Sequence, residues 1–99
     1  MKAAEIQQAG DGVFRVTGPV VMATAGALLE SSRKLFAGSG DLEIDLSGVT
    51  GVDSSALALL IEWLRQAKAQ NHTIRIGSVP DKLRSIARLT GVEDIILTD

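Results

Sequence analysis

The sequence has no cysteine and very few aromatic residues, and both absences limit what the protein can be. Its 99 residues include two Phe, one Trp and no Tyr. Without cysteine, disulfide bridges and thiolate metal sites are excluded. With so few aromatic residues, a platform on which nucleic-acid bases stack is not expected. The formal net charge of −2 also does not indicate the basic surface that binds phosphate groups of nucleic acids. We therefore expect no nucleic-acid partner.

The sequence also lacks long apolar segments. Its first residues, MKAAEIQQAGDG, contain no apolar signal region, and no uninterrupted apolar run is long enough to span a bilayer. Hydrophobic residues still make up 45% of the chain, which is enough for an aliphatic core. These features predict one domain over residues 1–99 that lies in the cytoplasm and does not insert into a membrane.

Residue patterns typical of catalysis are missing as well. The one histidine, His72, lies near the start of a predicted strand, where a structural role is expected. Ser31 and Lys34 have the S-x-x-K spacing, but this spacing is common on helix surfaces and the chain is too small for that enzyme class. Glu43 and Asp45 alternate along a strand, so we expect them on its solvated face. No phosphate-binding loop is present, and we expect no catalytic residue, metal or cofactor.

Hydrophobic periodicity predicts alternating strands and helices. The predicted elements are a weak strand over 4–8, the turn GDG, the strand VFRVTG, a helix with Thr24 as N-cap, the strand LEIDLS, a turn-rich segment SGVTGVD, a helix over about 54–70, the strand HTIRIGSV, a helix with Pro80 in its first turn, and a final strand DIILT. Strands that alternate with helices favour parallel crossovers, and the opening hairpin makes the sheet mixed. The sequence therefore predicts an α/β fold.

The helix that begins near Ser54 carries the most informative pattern. At 100° per residue, six apolar residues cluster on one face. They are Ala56, Leu57, Leu60, Ile61, Leu64 and Ala67. Leu59 and Trp63 fall on the border of this face, one turn apart. Two interpretations stay open: both residues pack against a neighbouring helix, or they form an exposed apolar rim that a partner covers, with Trp63 as its anchor.

Ser54 has two compatible interpretations. As an N-cap, its hydroxyl would accept a hydrogen bond from a free backbone N–H, worth about 1 kcal/mol. Asp53 beside it would favour the positive end of the helix dipole. The same helix start would also accommodate a phosphate group on the hydroxyl. Because Ser55 falls on the polar face of the helix, Ser54 is the predicted functional hydroxyl.

The stretch DLSGVTGVDSSALALL resembles the signature of STAS domains, the fold of the anti-sigma factor antagonists. That signature has a strand ending in Asp-x-Ser, a short loop, and Asp-Ser or Asp-Thr at a helix start; Asp45, Ser47, Asp53 and Ser54 match it. The resemblance covers nearly the whole chain. It implies a STAS fold, with a mixed and mostly parallel sheet of four to five strands and helices packed mainly on one face. In the antagonists, the position of Ser54 carries the phosphorylated serine.

Within that family, the segment from VDSSALALL to DKLRSIARL is similar to the small cytoplasmic STAS subunit of the bacterial Mla phospholipid-transport ABC system. Antagonists usually have an acid after the glycine that ends the second strand, whereas this chain has TGPVVMATA there. The leading interpretation is a non-enzymatic subunit that regulates the ATPase of a lipid-transport ABC complex, at the periphery of the inner membrane. The alternative is an anti-sigma factor antagonist whose partner kinase phosphorylates Ser54. Nucleotide binding by the domain itself is a third possibility.

The resemblance also implies where the partner binds. In the transporter subunits, the position equivalent to Ser54 is often Thr and lies at the contact with the ATPase. We therefore expect Ser54 at the centre of the contact, with other residues around it and along the following helix. The predicted flank consists of Thr50, Val52, Asp53, Ser55, Leu59, Glu62 and Trp63.

Overall fold

The computed structural model describes residues 3–96, and in this range it alternates strands with helices as predicted. The elements in chain order are β1 (Glu5–Gly10), β2 (Val13–Val20), α1 (Met22–Phe36), β3 (Leu42–Val52), α2 (Ser54–Ala69), β4 (Ile74–Gly77), α3 (Asp81–Leu89) and α4 (Glu93–Ile96). The opening hairpin, the three longer helices and the strands β3 and β4 all match predicted elements.

The four strands form one mixed sheet in the order β1-β2-β3-β4. The hairpin of β1 and β2 is antiparallel, and Gly12 in its turn has a φ of 71°, which favours glycine. The pairs β2–β3 and β3–β4 are parallel. Because the order advances in one direction and parallel crossovers are right-handed, α1 and α2 cover the same face. The predicted α/β fold is confirmed.

Alternation along β3 separates the core from the uncovered face of the sheet. Leu42, Ile44 and Leu46 are buried, whereas Glu43 is exposed and Asp45 is only half-buried. Successive side chains of a strand point to opposite faces. The prediction that these two carboxylates lie on the solvated side is therefore confirmed.

The end of β3 differs from the sequence prediction. The segment SGVTGVD was predicted to be turn-rich, but the strand continues through it to Val52. Between Asp45 and Gly48, β3 contains one residue more than the paired part of β2, and further on Thr50 has no register partner. These are β-bulges, which add a residue and increase the local twist. The glycines of this segment therefore belong to a bulged strand and not to a turn.

Two predicted helix starts are shifted. Thr24 is not the N-cap of α1, because extended Val21 precedes the first helical residue, Met22. The Thr24 hydroxyl instead lies in the first turn, where it accepts from the Val21 N–H at 3.0 Å and donates to the Pro19 carbonyl at 2.8 Å. Pro80 is the N-cap of α3 rather than a residue of its first turn.

The predicted final strand, DIILT, is wrong for the residues that the structure describes. Residues 93–96 form the short helix α4, and the remainder of that segment lies outside the described residues. Glu93 and Asp94 lie in the first turn, where carboxylates favour the positive end of the helix dipole. Arg88 of α3 also pairs with Glu93, with a nitrogen–oxygen distance of 3.4 Å. These charges favour a helical turn over a strand.

Trp63 lies in the core between α1 and α2. Its side chain is 2% exposed, and its ring meets Phe36 of α1 edge-on, with 5.7 Å between ring centroids. Leu59, one turn earlier, is 4% exposed, whereas Ile61, predicted on the buried face, is 36% exposed. The interpretation that Leu59 and Trp63 pack against a neighbouring helix is confirmed. The exposed rim anchored by Trp63 is wrong, because α1 covers that side of α2.

Candidate partner-binding site

The starts of α1 and α2 lie side by side at one edge of the sheet. Both helices follow neighbouring parallel strands, so both begin at the carboxyl ends of those strands. A hydrogen bond joins them: the Met22 N–H donates to Oδ2 of Asp53 at 3.1 Å. We define the helix-start surface as Met22, Asp53, Ser54 and Ser55.

Asp53, and not Ser54, is the N-cap of α2. Its backbone is extended, with a φ of −136°, and its Oδ1 accepts from the Ser55 N–H at 2.7 Å. The prediction that Ser54 caps the helix is therefore wrong by one residue. The reason is that β3 continues to Val52, which leaves Asp53 as the extended residue before the first helical one. Asp is among the preferred N-cap residues because its carboxylate accepts from free backbone N–H groups.

The hydroxyl of Ser54 is not used to hold the helix. Ser54 is exposed, and its hydroxyl makes no hydrogen bond to residues 3–96. It belongs to the first turn of α2, where backbone N–H groups have no acceptor within the helix. A partner or a modifying enzyme can therefore reach this hydroxyl without breaking a bond of the fold.

The carboxyl group of Asp53 is ionised at neutral pH. Partial burial alone would raise the pKa of Asp53, but hydrogen bonds from the backbone N–H groups of Met22 and Ser55 outweigh it. The positive charge of Lys82 acts in the same direction, so the pKa lies below its ordinary value. Lys82 belongs to the first turn of α3. The helix-start surface thus has a fixed negative charge with a cation from α3 close by.

Sequence reasoning missed two residues of this region, Met22 and Lys82. Met22 is 81% exposed, although long apolar side chains are mostly buried. The predicted alternation of strands and helices already implied that α1 and α2 begin at the same edge of the sheet. That signal could have placed the start of α1 beside Ser54. No sequence pattern indicated the position of α3.

A shallow groove continues from Ser55 along the boundary between α1 and α2. Its volume is about 270 Å³, and small side chains on both helices leave it open. It is lined by Ala25, Gly26, Leu29, Ser55, Ala58, Leu59 and Glu62. Arg65 donates two hydrogen bonds to Glu62, at 2.9 and 2.6 Å. Hydrogen bonds from Arg65 and Gln66 lower the pKa of Glu62 to about 2, so the groove ends at a permanent charge.

Three residues of the predicted flank are buried. Val52 and Trp63 lie in the core, and Leu59 forms part of the floor of the groove. A side chain in the core cannot extend an exposed contact surface, so the assignments of Val52 and Trp63 are wrong, whereas Leu59 reaches the surface only through the floor of the groove. Asp53, Ser55 and Glu62, in contrast, lie on or beside the helix-start surface and its groove.

Thr50 lies on a different surface. It is the unpaired residue of the second bulge of β3 and is exposed. It lines a depression that also includes Glu5 and Thr17, on the part of the sheet where the amino-terminal strand begins. That depression includes no residue of the helix-start surface, although only three residues lie between Thr50 and Ser54 in the chain.

Residues 3–96 contain no group of three or more His, Cys, Asp or Glu side chains that could hold a metal ion. None of the helices in that range is both long and apolar enough to cross a membrane. The groups that the helix-start surface presents are the Ser54 hydroxyl, the ionised Asp53 carboxylate and the exposed Met22 thioether side chain.

Comparison with known proteins assigns the chain to a family. The family model described as "Mlab, STAS domain" matches residues 4–98. The chain belongs to the STAS domain family. The anti-sigma-B factor antagonist of Bacillus subtilis (strain 168) is 26% identical to the chain over 90 residues, which cover 91% of this chain and 83% of that protein.

Solved structures share the STAS fold of this chain. The phosphorylated form of SpoIIAA, the Bacillus cell fate determinant, matches with a TM-score of 0.70 and 14% identity, over 98% of this chain and 90% of that one. The unphosphorylated anti-sigma factor antagonist SpoIIAA gives a TM-score of 0.65 and 11% identity, over 88% and 83%. Mglu matches over 80% of this STAS domain but only 20% of its own chain, with a TM-score of 0.62 and 20% identity. At these identities the likeness shows the fold alone.

Proposed function

We propose that this STAS domain is a non-enzymatic interaction subunit that docks on a partner protein through the helix-start surface. The observation that carries the proposal is the exposed Ser54 hydroxyl, which makes no bond within the described fold and lies next to the ionised Asp53. A hydroxyl and a fixed charge at the junction of two helices offer directional contacts to a partner. A charge added at Ser54 would change that contact strongly, because like charges in an interface cost several kcal/mol.

The partner that we propose first is the ATPase subunit of a lipid-transport ABC complex. Two observations support it. The matching family model carries the description "Mlab". The first turn of α1, next to Ser54, contains no acidic residue, whereas antagonists usually have an acid after the second strand. The domain would then support the assembly or activity of the ATPase on the cytoplasmic side of the inner membrane.

Co-expression with the ATPase subunit of the host's lipid-transport ABC system tests this proposal. We expect the two chains to co-purify, and we expect Ser54→Glu to weaken the complex at least about tenfold. Ser31→Glu is the matched control: Ser31 is an exposed serine of α1, about 13 Å along the helix axis from Met22. Failure of the wild-type chain to co-purify would reject this partner. Retained binding by Ser54→Glu would reject the site.

The second candidate is an anti-sigma factor antagonist that is switched by phosphorylation of Ser54. The observation that favours it is the 26% identity to the Bacillus subtilis antagonist over 90 residues. A phosphate would add a charge of about −1.5 to −2 beside Asp53 and would repel an acidic partner surface. Intact-mass spectrometry after incubation with the host's anti-sigma factor kinase and ATP tests it. We expect one phosphate on wild type and on Ser55→Ala, and none on Ser54→Ala; an unmodified wild-type chain would count against the switch.

The proposal requires no nucleotide on the domain itself. Calorimetric titration of the isolated chain with ATP and with GTP tests this part. We expect no saturable heat at micromolar nucleotide concentrations. Saturable heat would show that the domain has a nucleotide-binding site, which the proposed function does not include.

A further inference from the structure

The carboxylate of Asp53 bonds the starts of two helices at once. Oδ1 accepts from the Ser55 N–H of α2 at 2.7 Å, and Oδ2 accepts from the Met22 N–H of α1 at 3.1 Å. Each oxygen therefore has its own donor, and the two donors lie on different helices. Capping of α2 alone would need only one of these oxygens.

The end of β2 holds the residues just before α1, because Val20 is buried and pairs with Val52 of β3. The Thr24 hydroxyl bonds Val21 and Pro19, so that support stays within the same short segment of chain. The first buried residue of α1 is Leu28, six residues after Met22. Core packing therefore holds the chain up to Val20 and again from Leu28 onward, and none of the residues of the first turn of α1 is buried. The bond from Met22 to Asp53 joins this first turn directly to the start of α2.

We propose that Asp53 is a positioning residue that fixes the start of α1 against the start of α2. It thereby holds Met22 beside Ser54, so that an apolar side chain and a hydroxyl from different helices form one surface. The use of this surface for docking rests on the proposed function. The coupling between the two helix starts is a property of the isolated domain and is measured without a partner.

Two substitutions separate this coupling from ordinary capping. Asp53→Asn keeps an oxygen for the Ser55 N–H but can place an amide NH₂ where the Met22 N–H needs an acceptor. Asp53→Ser is also a good N-cap, but its single short hydroxyl cannot serve both helices. Asp45→Asn is the matched control. Asp45 likewise accepts from an N–H two residues ahead, at 2.8 Å, and from a second partner, Arg15, on the uncovered face of the sheet.

The measurement is the exchange of backbone amides with solvent, by NMR of the full chain at neutral pH. In Asp53→Asn and Asp53→Ser we expect the Met22 amide to exchange roughly tenfold faster. Both variants remove its hydrogen bond to a charged carboxylate, and such bonds are stronger than those between neutral groups. The Ser55 amide should change less than about twofold, because both variants keep an N-cap. Asp45→Asn should leave Met22 unchanged. An unchanged Met22 amide in both Asp53 variants would overturn the proposal.

Binding of the ATPase subunit to the same variants tests the consequence for docking. We expect Asp53→Asn to weaken the complex and Asp45→Asn to leave it intact. Faster exchange at Met22 with unchanged binding would confirm the coupling but overturn its role in docking, because docking would then not depend on the start of α1. A wild-type chain that binds neither the ATPase subunit nor the kinase would reject the proposed function, while the exchange result would still decide the coupling.

Discussion

Trp63 and Ser32 are joined in the core by a hydrogen bond between α2 and α1. The indole N–H of Trp63 donates to the Ser32 hydroxyl at 2.8 Å, and that hydroxyl donates to the Leu29 carbonyl at 2.7 Å. Both side chains are buried, so the bond replaces the water that the indole and the hydroxyl lost on folding. The middles of the two helices are therefore connected through Ser32, and their starts through Asp53.

Ser32→Ala should destabilise the fold. The substitution leaves the buried indole N–H of Trp63 without its acceptor, and we expect the free energy of unfolding to fall by about 1–3 kcal/mol. Urea unfolding measures the change, with fluorescence as the probe because Trp63 is the one tryptophan of the sequence. Ser31→Ala, at the exposed neighbouring serine, is the control and should stay within about 0.5 kcal/mol of wild type. Equal stability of the two variants would contradict this account of the bond.

The bulged part of β3 should tolerate alanine at one glycine and not at another. A Cβ on Gly48 would lie 2.7 Å from Cγ2 of Thr17 and 3.1 Å from the Val16 carbonyl oxygen, whereas a Cβ on Gly51 meets nothing within 4 Å. We expect Gly48→Ala to cost about 1–3 kcal/mol through overpacking and Gly51→Ala to cost much less. Thermal or urea unfolding measures both.

Thr17→Ser on the Gly48→Ala background tests the cause. Serine lacks the Cγ2 atom, so the double variant should recover part of the lost stability. The close approach to the Val16 carbonyl remains, so recovery should be incomplete. A double variant no more stable than Gly48→Ala would place the strain in the backbone rather than in the Thr17 side chain.

Glu62 should contribute to stability in a defined pH range. Hydrogen bonds from Arg65 and Gln66 lower the pKa of Glu62 to about 2 in the folded protein, from an ordinary value of 4.5. A group with a lowered pKa stabilises the fold above its unfolded value, and this contribution is lost as the pH falls through the folded value. Glu62→Gln should therefore be less stable than wild type at pH 7, and the difference should shrink between pH 4.5 and about 2.

Urea unfolding at several pH values measures this difference. Because the Arg65 side chain is 69% exposed and that of Glu62 is 28% exposed, solvent screens the pair, so the effect should be small and should weaken in high salt. A difference between wild type and Glu62→Gln that stays constant down to pH 2 would show that the carboxylate is not held by these bonds.

The sequence was sufficient for the order of the elements as far as α3 and for most of the buried face of α2, but not for the borders of that face. A helical wheel ranks residues by angle alone, and it placed Ile61 inward and left Leu59 and Trp63 on the border. The structure buries Leu59 and Trp63 because α1 packs on their side, next to Phe36. The direction from which a neighbouring helix approaches is a tertiary property, so the period of one helix cannot supply it.

A non-local interaction also decides which residue of the candidate site caps α2. The motif located Ser54 at a helix start, but whether Asp53 or Ser54 caps depends on where β3 ends. Glycines at positions 48 and 51 favoured a turn, whereas pairing with β2 extends the strand through two bulges to Val52. Strand pairing is a non-local interaction, and here it outweighs the local preference of glycine for turns.

Ser54→Ala should leave the stability of the fold almost unchanged. Since Asp53 already caps α2 and the Ser54 hydroxyl makes no bond to the described residues, we expect a change within about 0.5 kcal/mol. Thr24→Val is the matched comparison, because the Thr24 hydroxyl does bond the start of α1; there we expect a loss of about 1 kcal/mol. Urea unfolding of both variants decides the point. A loss near 1 kcal/mol in Ser54→Ala, the value of an N-cap, would show that the hydroxyl holds the helix and is not reserved for a partner.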